Sequence, residues 1–540
     1  MEKESKQQKW KRFRDTVYRN ALQLILVGSV TGVFSGAVVT FFNIIAEKGE
    51  EFSQGAYAFV RNNLALVPLL FLVLFLGAFL IGVAVRISEE IRGCGIPQAE
   101  GATRGLIRFR WFRDATASFA TCILSIFMGL SIGAEGPSVF IGSCVGDGVA
   151  TTLKRNEMIK RYQITGGACT GLAVASNAPL TGIIFAFEEA HKRFTPEVFI
   201  CAFSSVVCGM ATRSLIYYLL GMQVHNAFDT YVFYELPWQT YGFVALAGVF
   251  CGLLGVAFYK FSFKLRDLFL KIRLKKSGYD NAIRIAIAVF IGGVFSLVAS
   301  GVMGGGHGLI ASLGTMGGKE QSSVQTVLGL PVAWTLLIIL VLRFCITGIN
   351  VGSGIPCGIF IPIIAMGACL GGVLNEVWIQ WGMDVRYCDL MMMICMSALF
   401  TTIVRAPITA IVMICEFTGS FAPLLPVVIA VSIGYIIGET FRTDGIYEDL
   451  LEAYEKESGV FERSVREVYT LVVAKGSLAE KREVREVLWP SGARVTEIHR
   501  GEDLILAEGE TILHAGDTLT IVCRTDNPTK VRDDLVHIVG

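Results

Sequence analysis

The sequence predicts an all-α polytopic membrane protein of two inverted-topology repeats with broken helices, followed by a small α/β cytoplasmic domain. Three observations carry this expectation. The first is composition. Of 540 residues, 53% are hydrophobic and 58 more are glycine, an apolar share of roughly 64% against about 45–50% in soluble domains. Charged residues make up 17%, and mean hydropathy is +0.58. The second is charge placement. Residues 458–540 hold 25 charged residues, 30% of that stretch, against 15% over 1–457. The chain thus divides into a membrane body, 1–457, and a soluble tail, 458–540. The third is an internal repeat within the body, described below.

These numbers exclude a soluble multidomain array, a disordered chain, collagen and a disulfide scaffold. A net charge of +1 gives no reason to expect a nucleic-acid partner. Thirteen of the fourteen cysteines lie in the body, mostly in apolar runs such as those around Cys122, Cys251 and Cys415, and only Cys523 is in the tail. Their spacing suggests neither zinc nor disulfides, so they read as packing thiols.

Residues 1–20 carry seven Lys/Arg and three acids, a basic helical segment for the cytoplasmic membrane surface. No cleavage site follows, so it is not a signal peptide. The runs Ala21–Ala46, Leu64–Val85 and Ile285–Gly306 are each long enough to cross the hydrocarbon core. Other apolar stretches are shorter or broken by Gly, Pro or a charge. Segment 260–284 is rich in Lys and Arg, whereas 220–237 has neither and carries Asp229 and Glu235. The first is therefore expected inside and the second outside, with both termini cytoplasmic and a span over about 238–259.

The repeat sets the architecture. Gly133, Pro137, Gly142, Cys144 and Gly146 match Gly358, Pro362, Gly367, Cys369 and Gly371 at an offset of 225. Ala178-Pro179-Leu180-Thr181 matches Ala406-Pro407-Ile408-Thr409 at 228, with Glu188 over Glu416. Two homologous halves result, about 10–230 and 238–457. The basic segment between them fits an odd number of crossings per half, and so inversion.

Four Gly/Pro breaks interrupt apolar sequence: Gly93–Pro97, Gly133–Pro137, Gly352–Pro356 and Gly358–Pro362. Glycine permits close approach and unusual angles, and proline suits a helix start. A helix start inside a membrane presents free N–H groups and partial positive charge, which need an anion or a cavity. The inference is an anion pathway lined by helix N-termini, without a Lys or Arg that would hold the ion too tightly for release. Glu135 lies within one break. An ionisable group in apolar sequence is a functional candidate: charged, its carboxylate occupies the anion site as a tethered anion; protonated, it leaves. Glu188 and Glu189, taken alone, read as a solvated helix end. Glu416 and Glu439 read as partners for Arg405 or Arg442.

These motifs resemble the CLC chloride channel/transporter family over residues 10–457. GCGIPQAEG at 93–101 resembles its GSGIP motif, GAEGP at 133–137 its GREGP, and GIFIP at 358–362 its GxFxP. Arg405-Ala406-Pro407 and a late Tyr447 follow in order. The resemblance implies that Glu135 is the gating glutamate and Glu189 the intracellular proton acceptor. It places the anion-binding groups at Cys94, at the backbone N–H of Ile359 and Phe360, and at Tyr447. Two departures stand out: Cys94 where the family has serine, and Ala134 where it has arginine. A thiol is a weaker donor than a hydroxyl, and nitrate-selective members differ at this same motif. Retention of both Glu135 and Glu189 implies proton-coupled chloride antiport. The alternatives are a passive gated chloride channel, or an exchanger preferring nitrate or another anion. The resemblance also implies a homodimer in the plasma membrane. It implies no enzyme activity and no cofactor, chloride and protons being the substrate ions.

In the tail, strands are expected at Val468–Ala474, Arg494–Arg500, Asp503–Leu506 and Thr518–Arg524, with a helix near Ala479–Leu488. The strings Gly476-Ser477-Leu478, Leu488–Gly492, Ile498–Gly501 and His514–Asp517 resemble the RCK_C (TrkA-C) module of potassium-transport regulators. Such modules usually dimerise, and some bind the nucleotide second messenger cyclic di-AMP. By that resemblance Arg494, Val495, Ile498 and Arg500 are candidate ligand residues. A ligand-free assembly role is the alternative.

Overall fold

The computed structural model describes residues 6–155, 157–192, 194–222, 231–272, 279–314, 327, 329–421, 423–458, 465–490, 492–501, 503–525 and 528–540. Parts of the expected outer segment (223–230) and of the basic segment (273–278) lie outside the described residues, as does Ser491 of the tail string Leu488–Gly492.

The first half comprises α1 (Lys6–Asn62), α2 (Val67–Ile87), α3 (Ile96–Thr103), α4 (Trp111–Phe127), α5 (Glu135–Thr152), α6 (Glu157–Ser176), α7 (Pro179–Phe185) and α8 (Pro196–Leu219). The second comprises α9 (Tyr241–Leu270), α10 (Asp280–Val298), α11 (His307–Leu313), α12 (Val332–Ser353), α13 (Phe360–Gln380), α14 (Cys388–Val404), α15 (Pro407–Thr418) and α16 (Leu424–Thr440). Then α17 (Ile446–Ser458) leads to the tail. Among the described residues, eight helices are long and apolar enough to cross a membrane.

The basic start and the first apolar run form one helix rather than two segments, since α1 is continuous from Lys6 to Asn62. The run 285–306 is helical only to Val298, because a 3₁₀ turn at Ser300–Val302 and the glycines 304–306 end it. Every residue of α14 is buried. A helix apolar on all sides is a core element, and α14 packs on α13 at the centre of the second half.

The two halves are related by a pseudo-two-fold axis, and side chains report it. Glu188 accepts from the N–H of Ile408 at 2.8 Å and of Thr409 at 2.6 Å. Its counterpart Glu416 accepts from the N–H of Leu180 at 2.6 Å and of Thr181 at 2.7 Å. Each acid thus caps the start of the equivalent helix in the other half, and such reciprocal contacts are what a two-fold axis generates. Gly133 and Gly358, equivalent by the repeat, pair as an isolated antiparallel bridge. Glu188 is therefore an inter-half cap and not a solvated helix end. Among the described residues Glu416 pairs with the backbone of Leu180 and Thr181 and with the Thr181 hydroxyl, not with an arginine, while Glu439 does meet Arg405.

Repeat glycines explain the tight packing. A Cβ on Gly142 would stand 2.2 Å from the Gly167 carbonyl, and one on its counterpart Gly367 would stand 2.6 Å from Met396 Cα. Small residues at such crossings let membrane helices approach backbone to backbone.

The tail is a four-stranded antiparallel sheet of β1 (Val465–Val472), β2 (Ala493–Arg500), β3 (Asp503–Leu506) and β4 (Thr518–Thr525), ordered β1-β4-β2-β3. A C-terminal helix, α18 (Pro528–Val539), buries Val531, Leu535 and Ile538 in the same core as Ile498, Leu519 and Ile521. The helix expected near Ala479–Leu488 is only a 3₁₀ turn at Val484–Glu486. There Lys481 and Val484 donate to the carbonyls of Leu513 and Thr511, so pairing with the 509–513 segment overrides local helix propensity.

Candidate functional site

Three of the four breaks begin helices, and the three starts converge. The residues before α3, α5 and α13 are Gly95, Ala134 and Ile359, and none provides a side-chain cap. Their first-turn N–H groups have no helical acceptor. Convergence is permitted by glycine. A Cβ on Gly136 would meet the Cys94 carbonyl at 2.2 Å and Gly358 Cα at 3.1 Å, and Gly95 adopts φ +83°. The Gly133 N–H donates to Gly358 O at 2.8 Å and Cys357 N–H to Gly93 O at 3.1 Å. The fourth break acts differently. Gly352–Pro356 ends a helix, with Gly354 left-handed just after α12.

Around this junction Cys94, Ile359, Phe360 and Tyr447 are all buried. Among the described residues the buried Tyr447 hydroxyl has no hydrogen-bond partner, although a buried phenol normally finds one. It lies within electrostatic reach of Cys94, Glu135, Glu100 and Glu189. A phenolic O–H and uncapped helix N–H groups are all donors. The site therefore calls for an acceptor, and an anion is the acceptor such donors select.

Glu135 opens α5 and is 0% exposed. Its Oε1 lies 3.0 Å from Nε2 of His307, at the start of α11, and its Oε2 has no partner among the described residues. At the other end, α3 carries Glu100 in its last turn, 0% exposed, facing Glu189. Glu189 sits in a π-turn, Ala186–Ala190, that continues α7. Arg104 Nη2 is 3.7 Å from Glu100 Oε2 and 3.5 Å from the Glu189 carbonyl. Helix α3 thus joins the anion junction at its start to a carboxyl pair at its end. Sequence reasoning singled out neither Glu100 nor His307. The rule that found Glu135, an ionisable group inside apolar, glycine-rich sequence, applies equally to both.

The tail candidates separate. Arg494 and Val495 line a cleft of about 410 Å³ between the tail and the body, together with Arg104, Arg161 and Trp489. Ile498 is instead fully buried in the tail core. Arg500 is bound by Asp517, with both guanidinium contacts at 2.8 Å. Burial alone would raise the Asp517 carboxyl, but the Arg500 and His514 N–H bonds hold it below its ordinary value. Among the contacts that fasten the tail to the body are Arg482 to Glu197 at 2.5 Å and Arg161 to the Trp489 carbonyl at 3.0 Å, with Met158 packed on the tail core.

A two-fold pair of membrane halves with broken helices around a donor-lined centre defines a polytopic anion-pathway protein. The chain belongs to the family described as voltage gated chloride channel, whose profile matches residues 76–439, and a TrkA-C domain matches 468–535. It is 29% identical over 444 residues to the H(+)/Cl(-) exchange transporter ClcA of Vibrio cholerae serotype O1 (strain M66-2), covering 80% of this chain and 90% of that one. It is 28% identical over 456 residues to ClcA of Yersinia pseudotuberculosis serotype IB (strain PB1/+), covering 81% and 89%. Its fold is shared with a slow cyanobacterial Cl−/H+ antiporter (TM-score 0.70, 24% identity, 81% of this chain and 99% of that one). It is shared also with a CLC-type fluoride/proton antiporter (TM-score 0.61, 18% identity, 78% and 96%).

Proposed function

We propose that the chain exchanges chloride for protons across the plasma membrane, with Glu135 as the gate and Glu189 as the intracellular proton acceptor. The observation that carries this reading is the convergence of three uncapped helix starts beside the orphaned Tyr447 hydroxyl, with a buried carboxyl at either end. Chloride accepts hydrogen bonds from Ile359 N–H, Phe360 N–H and Tyr447 O–H. Ionised Glu135 competes for the same donors, and protonated Glu135 withdraws, so anion entry and proton uptake alternate at one carboxyl. Protons reach the inside through Glu189, beside Glu100 at the end of α3 opposite the anion centre. The relatives named as H(+)/Cl(-) exchange transporters support antiport over a passive channel. The test is the reversal potential of the reconstituted protein under opposed chloride and proton gradients. A shift with pH supports exchange; a pure chloride Nernst potential overturns it.

Cys94 sets the anion preference in this reading. A serine at this position would add a better donor, and one neutral hydrogen bond is worth about 0.5–1.5 kcal/mol. Cys94→Ser is expected to tighten chloride binding up to roughly tenfold with coupling unchanged. Calorimetry and flux on one preparation check this, and unchanged affinity for chloride, nitrate and bromide alike places the thiol off the pathway.

The same reading takes both termini as cytoplasmic and the unit as a homodimer with one pathway per protomer. The repeat-related Leu180 and Ile408 are 50% and 57% exposed on two helices that pack on each other, and the helix of Ile408 adjoins α16 with its exposed Leu425. They form an apolar face that a second copy would cover. Only monomers after crosslinking in mild detergent would contradict the dimer. The tail is taken as regulatory, with Arg494 and Val495 in the cleft against Arg104 and Arg161 as the strongest of the four ligand candidates. Cyclic di-AMP is the compound to test by calorimetry on the full chain.

A further inference from the structure

We propose that His307 relays protons between the outer solution and Glu135, a role that rests on the antiport reading above. Glu135 must gain and lose a proton in every cycle, yet it is 0% exposed. His307 bridges the gap. Its Nε2 is 3.0 Å from Glu135 Oε1 while 40% of its side chain is exposed. One edge of the imidazole therefore touches the buried acid and the rest meets solvent.

The ring is held in place by its loop. Gly304 and Gly306 adopt φ +60° and +112°, turning the chain into α11. Arg343, itself 0% exposed, donates to the carbonyls of Gly301, Met303 and Gly305 at 2.8, 3.1 and 3.1 Å. The Gly305 N–H donates to Glu50 Oε1 at 2.8 Å. A buried guanidinium and a carboxylate both devoted to one short loop fix the residue that follows it. A cleft of about 390 Å³ bounded by Glu50, Gln54, Arg61, Gly306 and Gly308 adjoins the ring's loop.

The charges facing His307 come from every element around it. Glu135 faces it from α5, Glu47 and Glu50 from α1, and Arg343 from α12, with Arg213 of α8 behind Glu47. Three carboxyl side chains therefore surround one imidazole.

The step balances. The imidazolium gives the proton on Nε2 to Glu135 Oε1, leaving neutral imidazole and a neutral carboxylic acid. The acid turns away from the anion site, and the imidazole regains a proton from outer water. Proton release to the outside is the same step reversed. Histidine suits this task because its ordinary pKa lies near neutral pH.

The test uses the full chain in liposomes with external pH varied. His307→Ala is expected to slow coupled exchange on the order of tenfold at neutral external pH, less than the roughly hundredfold or more usual for a positioned proton-transfer group because water still reaches the gap. External imidazole should restore most of the rate. His307→Gln keeps a hydrogen bond but cannot relay, and should stay slow. In a Glu135→Gln background the His307 substitution should have no further effect, which a merely structural role would not produce. Unchanged turnover in His307→Ala overturns the relay, as does slowing that imidazole does not rescue and that persists with Glu135→Gln. A parent protein that moves no protons against a chloride gradient refutes antiport itself, and that result is separate from any effect of His307.

Discussion

Replacing Glu135 by glutamine is expected to uncouple the protein. Coupled proton flux falls to background, anion flux continues, and the dependence of anion flux on external pH disappears. The reason lies in what the carboxylate competes with. In the mechanism proposed above, its position at the start of α5 lets it compete for the N–H groups that receive the anion. An ionised side chain at membrane depth costs about 2.5–3.5 kcal/mol unless such donors hold it, so the ionised form is bound where chloride would bind. Glutamine carries no charge and takes no proton. The competing state is then lost, a shift of about 2.5–3.5 kcal/mol, or on the order of a hundredfold in site occupancy. Paired measurements of proton and chloride flux on the same liposomes check this. Continued proton pumping driven by a chloride gradient would falsify the gate assignment.

Much of this arrangement is legible in the sequence because membrane helices punctuate themselves. Gly133–Pro137 and Gly358–Pro362 mark helix starts since only glycine allows the backbones of Gly133, Gly136 and Gly358 to come so close. The 225–228 offsets carry the two-fold relation for the same reason: equivalent glycines face equivalent neighbours. What the sequence hides is what the fold pairs at a distance. Nothing local says that Glu188 caps Ile408 and Thr409, 220 and 221 residues away. The GSGIP string at 352–356 looks like a helix start but ends α12, because Gly354 is left-handed there. In the tail, 479–488 has helical composition, yet its backbone is taken by the 509–513 segment. The helix α18 is not among the expected elements, although its signals are present. Pro528 opens it, and Val531, Leu535 and Ile538 recur at helical spacing.

The adjacent acids Glu188 and Glu189 give the sharpest separation of roles. Glu189→Gln is expected to lower proton flux on the order of a hundredfold or more, the usual contribution of a positioned proton-transfer group, while chloride flux persists. Glu189 faces Glu100 at the end of α3, away from the helix starts that carry the anion donors. Two buried carboxyls this close cannot both be ionised without cost, so a proton shared there is the one handed inward, and glutamine cannot pass it on. Glu188 points the other way, onto the starts of the 407–418 helix in the opposite half. Its two bonds are charge-assisted, each worth about 1.5–3 kcal/mol. Glu188→Gln should therefore lower thermal stability and reduce both fluxes together, by loosening the contact between halves. Proton and chloride flux measured with melting temperature for the two variants decide the matter. Loss of both fluxes in Glu189→Gln would make that residue structural, and loss of proton flux alone in Glu188→Gln would exchange the two assignments.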